Sequence, residues 1–247
     1  MRCRDAGCRR TIPPGRHVRL FYHPVSSNCQ KVLIALYEKE MPFEACIVDM
    51  FDRKANADYR ATVNPIGKIP CLISNEGEWI PESSIIIEYI DRFSNGHRLI
   101  PDDPTLARRT RFWDRFIDLY VNDAFSKVLQ DRIRPDDGKD PFGVKQARAR
   151  LSASYAVLDK HLQTNEWLNG DGFSMADCAA TPSLHIGQRA LATTGYPNLD
   201  AYYHRMASRA AFQRVWQENL PWRERINGDI ASMRIAQGWS SDCPSDA

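Results

Sequence analysis

No stretch of this chain is apolar for anything near the roughly 20 residues that a membrane-spanning helix requires, so no membrane is expected as a partner. Neither sign of charge dominates: 33 Lys and Arg face 31 Asp and Glu, a formal net charge of +2. Nucleic-acid binders concentrate basic side chains into one surface, and a balance this close argues against nucleic acid as the main partner. Cysteine occurs seven times, at Cys3, Cys8, Cys29, Cys46, Cys71, Cys178 and Cys243, but never with C-x2-C spacing. C-x2-C is a common spacing of structural zinc sites, and no metal is expected here. An odd, scattered set fits reduced thiols in the cytoplasm better than a disulfide framework. The Arg-rich start, Met1 to His17, lacks the hydrophobic run of a secretory signal and reads as a polar arm without structure.

What is present is ordinary globular composition, 43% hydrophobic and 26% charged, in 247 residues that can hold one large or two ordinary domains. The stretch Leu20 to Val32 organises the rest. A short apolar strand over 18–22 turns through Pro24 into a helix over 27–40, with Ser26, Ser27 and Asn28 as capping residue types. Such a turn sets hydroxyl and thiol groups (Tyr22, Ser26, Ser27 and Cys29) beside unpaired amide N–H groups, where an anion is welcome. A strand over 43–48, a weak helix over 54–63, a strand entered through Pro70, a turn at Asn75–Glu78, a strand at Trp79–Ile80 and a helix after Ser83–Ser84 follow. The order β-α-β-α-β-β-α predicts a compact α/β domain with a mixed sheet over 18–97.

Pro101 to Pro104 is a breaker-rich linker, and beyond it the pattern is helical. Trp113, Phe116, Ile117, Tyr120, Ala124 and Val128 recur at helical spacing, as do Ala147, Leu151, Leu158 and Leu162. Phe173, Ser174 and Asp177 form a staple and capping box before a small apolar helix, and shorter helices are expected over 198–207 and 210–219. An all-α bundle over 104–222 with a polar tail over 223–247 is the expectation.

Four motifs now stand in one order: Tyr22-His23-Pro24-Val25-Ser26-Ser27, Asn64-Pro65-Ile66-Gly67-Lys68-Ile69-Pro70, Glu82-Ser83 and Phe173-Ser174-Met175-Ala176-Asp177. Together they resemble the soluble glutathione S-transferase family over about 18–222, and Phe21 to Glu44 looks most like its serine-type phi and theta classes, including bacterial members. The resemblance implies a thioredoxin-like N-terminal domain before the bundle, glutathione as co-substrate, a homodimer, and detoxifying addition of glutathione to a small hydrophobic electrophile.

Thiolate, not thiol, is the nucleophile, and a hydroxyl donating to sulfur stabilises it. By resemblance that hydroxyl falls on Ser26, with Tyr22 its rival and Cys29 third, while Ser27 points elsewhere and caps the helix. The same resemblance sets Ile69 and a cis Pro70 against the cysteinyl backbone, Lys68 and Lys54 near the glycyl end, and Glu82 and Ser83 at the γ-glutamyl end. One departure stands out: the phi pattern has a His-Lys pair where this chain reads Asp52-Arg53-Lys54-Ala55-Asn56. Arg115, Phe116 and Tyr120 are expected to line the second-substrate pocket; Ser174 and Asp177 are expected to be structural. The competing readings are a glutathione-binding interaction or regulatory module without transferase activity, and a glutathione-dependent thiol reductase, peroxidase, isomerase or dehalogenase.

Overall fold

A computed structural model describes residues 18–50, 52–94, 96–170 and 172–236, with side chains up to 225. The arm over 1–17 and the end of the polar tail lie outside the described residues. The N-terminal part runs β1 (Val18–Tyr22), α1 (Ser27–Glu38), β2 (Phe43–Ile47), α2 (Arg53–Thr62), β3 (Cys71–Ile73), β4 (Trp79–Pro81) and α3 (Ser83–Phe93). Its sheet has the order β2-β1-β3-β4; β1 and β2 are parallel, and β3 is antiparallel to both its neighbours. The expected element order is present throughout.

Alternation places Val18, Leu20 and Tyr22 on the face of β1 that meets α1 and α3, while Phe21 turns to a smaller core with Val48, Tyr59 and Cys71. Helix α1 is buried on nearly every side from Cys29 to Leu36, because it packs against α3 on one side and the bundle on the other. Each fully buried Leu or Ile there contributes about 1.5–3 kcal/mol by leaving water.

In the bundle, α4 (Pro104–Phe116) passes through a π-helical segment (Ile117–Asn122) into α5 (Asp123–Arg132), so one rod spans 104–132. Asp103 caps it by accepting from the Thr105 and Leu106 N–H groups at 2.9 Å. The breaker run before Pro141 is a short 3-10 turn, and α6 (Pro141–Leu162), α7 (Met175–Gly187), α8 (Pro197–Ala207) and α9 (Ala210–Ala236) complete the bundle. One expectation is revised. Helix α9 continues through Pro221 to Ala236, past the expected boundary at 222, because its Trp222 and Arg225 find partners on the first domain. Tyr120, expected to line the second-substrate pocket, lies on the π segment and is 47% exposed.

Candidate functional site

Three loops meet at one end of the sheet, since β1 and β4 end where the antiparallel β3 begins. Phe21 stands opposite Cys71, and Cys71 opposite Pro81. One or two residues further on, the turn after Tyr22 therefore faces Ile69–Pro70, and Pro70 faces Glu82. β2 delivers the segment before α2 to the same end, where the Val48 N–H donates to the Tyr22 carbonyl at 2.9 Å. The turn carrying Ser26, the Lys68–Pro70 loop and the Glu82–Ser83 corner thus lie on one rim at the carboxyl end of β1, where open α/β sheets receive ligands, and Lys54 stands in the first turn of α2.

Two helices point bare N-termini at that rim. The Asp52, Asp103 and Asp140 side chains cap α2, α4 and α6, but neither Ser26 on α1 nor Glu82 on α3 makes a side-chain capping bond. Their first-turn N–H groups and positive dipole ends are left for an anion. Glu82 holds φ at +69°, a conformation costing on the order of 1–3 kcal/mol in a non-glycine residue, and sets buried Ser83 as the first residue of α3. The Ile69–Pro70 peptide is cis. Before it, the Lys68 carbonyl accepts from the Tyr59 hydroxyl at 2.7 Å and from Asn64 Nδ2 at 2.8 Å. Gly67 there holds φ at +74°, the left-handed region that a side chain rarely adopts.

Burial separates the candidate nucleophile partners. Ser26 is partly exposed, and its N–H donates to the His23 carbonyl at 3.1 Å. Tyr22 is buried in the core with its ring edge-on to Phe43; burial, and then the Glu218 carboxylate, push its hydroxyl up to about 12. Cys29 lies fully buried inside α1, and burial pushes its thiol up to about 12 against weaker pulls from Ser26 and His23. Ser27 does not cap α1: its hydroxyl donates to Asn122 Oδ1 at 2.8 Å, on the bundle rod. Lys54 lies exposed on α2 with Nζ 2.7 Å from Asp58, which raises its pKa, and Lys68 carries an exposed side chain.

The rim has two walls from the bundle. On one side α9 crosses it, with Trp222 edge-on to His23 at 5.1 Å and Arg225 paired with Asp49 at 2.8 Å. On the other stands the rod. Arg115 is exposed, while Phe116 meets Trp113 edge-on and Phe112 and Tyr120 at tilted angles, and Trp113 continues to His161 on α6 at 4.3 Å. Beneath the rim Lys31, 1% exposed, pairs with Asp114 at 2.7 Å and Asp118 at 2.9 Å. Sequence reasoning missed Lys31, Asp114, Asp118, Asn122 and Trp222. A lysine inside an apolar helix was the one legible signal; its partners are contributed by the other domain. Among the described residues no three His, Cys, Asp or Glu side chains gather as a metal set.

Residues 20–98 match the glutathione S-transferase N-terminal domain model and residues 121–210 the C-terminal domain model. The chain is 29% identical to glutathione S-transferase GstB of Escherichia coli K12 over 194 residues, covering 77% of this chain and 93% of that protein. It is also 29% identical to glutathione S-transferase 3 of Zea mays, over 80% of this chain and 92% of the relative. A crystal structure of a glutathione S-transferase from Methylobacillus flagellatus KT, with glutathione bound, superposes with a TM-score of 0.73 at 29% identity, over 80% of this chain and 98% of that one. With both domains matched in order and the rim motifs in place, the chain belongs to the glutathione S-transferase family.

Proposed function

We propose that the chain is a glutathione transferase that lays glutathione along the rim and activates its thiol from Ser26. The observation that carries this is the convergence of two uncapped helix N-termini with the cis Ile69–Pro70 loop. The γ-glutamyl carboxylate takes the N–H groups of α3 beside Ser83, and the Glu82 carboxylate faces its ammonium group. The cysteinyl backbone extends along Ile69 as a short added strand, and Lys54 and Lys68 serve the glycyl carboxylate. The thiol then meets the N-terminus of α1. It loses its proton to solvent, the Ser26 hydroxyl donates to the thiolate, and sulfur forms a bond to an electrophilic carbon as that carbon's leaving group, a halide in an aryl halide, departs with the bonding pair. Each unit by which the thiol pKa falls needs about 1.4 kcal/mol of preference for the anion, within reach of one charge-assisted hydrogen bond. The glutathione-bound relative from Methylobacillus flagellatus supports the same reading.

Arg115, Phe116 and Tyr120 remain the proposed lining for the electrophile, on the rod whose Asn122 meets Ser27. A homodimer is part of the proposal: Trp79, Ile85, Phe93 and Phe112 are large apolar side chains left exposed on β4, α3 and α4. The test compares Ser26→Ala with wild type for retention on immobilised glutathione and for conjugation of a chromogenic aryl halide. Retention with loss of turnover is expected; retention with full turnover removes Ser26 from the role, and no retention by wild type removes glutathione.

A further inference from the structure

Two polar rungs tie the first turns of α1 to the bundle rod. The Ser27 hydroxyl donates to Asn122 Oδ1 at 2.8 Å, and Lys31 Nζ lies 2.9 Å from Asp118 Oδ2 and 2.7 Å from Asp114 Oδ1. Ser84, in the first turn of α3, joins the lower rung: its hydroxyl accepts from Lys31 Nζ at 2.9 Å and donates to Asp114 Oδ2 at 2.6 Å. Lys31 and Asp114 are each 1% exposed, Asp118 20%. Charges this deep carry a desolvation cost that offsets much of their mutual attraction, which makes them poor glue; fixing a register is their better-attested use.

The backbone of the rod is adapted to this contact. Residues four apart on an α-helix, at roughly 3.6 per turn, drift by about 40°, so Asn122 would stand about 80° away from Asp114. The wider i→i+5 turn over Ile117–Asn122 winds that drift back, and Asp114, Asp118 and Asn122 all face α1. The bond to Asn122 holds Ser27, the first residue of α1, directly beside the N-cap Ser26, whose side chain makes no capping bond.

We propose that Asn122, Asp118 and Lys31 are positioning residues, a cross-domain ladder that sets the first turns of α1 and α3 together. It thereby couples the thiol end of the site to its γ-glutamyl end; this rests on the glutathione reading above. The ladder acts through Ser27 and Ser84, each the immediate neighbour of a residue assigned to the ligand.

The experiment measures the ultraviolet absorbance of bound thiolate against pH, with kcat, KM for glutathione and the thermal midpoint, in wild type, Asn122→Ala, Ser27→Ala and the double variant. Asn122→Ala is expected to raise the bound-thiol pKa by about one unit and to lower kcat about tenfold at neutral pH, with KM little changed and the melt intact. Ser27→Ala should give the same loss, and the double variant no more, as a single broken rung requires. Asp118→Asn, which loosens Lys31 under α3, should instead raise KM for glutathione. Additive losses, or a wild-type thiol pKa in Asn122→Ala, overturn the ladder alone. A wild-type complex holding no thiolate near neutral pH overturns the glutathione reading and the ladder with it.

Discussion

Ser26 and Cys29 lie three positions apart at the start of α1, and burial gives them opposite chemistry. The hydroxyl stands partly exposed at a bare helix end; the thiol is enclosed, with its pKa pushed up to about 12. Ser26→Ala should therefore lower kcat by about 10² at neutral pH, the loss typical of one preorganised donor to an anion, as read in steady-state conjugation assays. Cys29→Ala should leave conjugation and any disulfide-reducing activity unchanged, and a lost reductase activity would restore Cys29 as a nucleophile. A third residue sets a pH response. His185 Nδ1 bonds the Tyr203 hydroxyl at 2.8 Å and its ring lies 4.0 Å from Trp216; burial, then Arg223 and Arg189, lower its pKa from 6.5 to about 4. The unfolded chain binds this proton first as pH falls, so stability should drop between pH 6.5 and 4. Denaturant unfolding of His185→Gln should show a flatter profile in that window.

At the scale of elements, local chemistry was largely readable. Ser174 and Asp177 form the expected capping box, with Asp177 Oδ2 accepting from the Ser174 N–H at 2.8 Å and its hydroxyl at 2.7 Å. The other oxygen of Asp177 accepts from the Leu168 N–H at 3.0 Å and the Tyr202 hydroxyl at 2.6 Å, contacts no spacing rule reveals. Asp177→Ala strands these donors in the core and should cost about 3–5 kcal/mol in equilibrium unfolding, with glutathione contacts untouched. Asn64 to Pro70 was legible for the same reason as the box: a proline, a glycine at positive φ and an Asn turn act over a few residues. The π segment was not, because its apolar residues fit an ordinary helix and only the contact with α1 requires the extra turn.

For the whole molecule, the proposed self-association makes a direct prediction. Phe112→Asp should shift sedimentation toward the monomer while leaving the fold intact; unchanged mass would place the interface elsewhere. Element order, the linker at Pro101–Pro104 and the four motifs were determined by the sequence alone, since periodicity, capping and proline chemistry depend on near neighbours. Folding decided the rest. Tyr22 and Ser26 were equivalent as hydroxyls until the core closed over the first and left the second open. Lys31 acquired its meaning only when α1 met a rod 87 residues away in the chain. Desolvation and long-range pairing belong to surfaces that exist only after the chain has folded, and the proposal of Ser26 over Tyr22 rests on them.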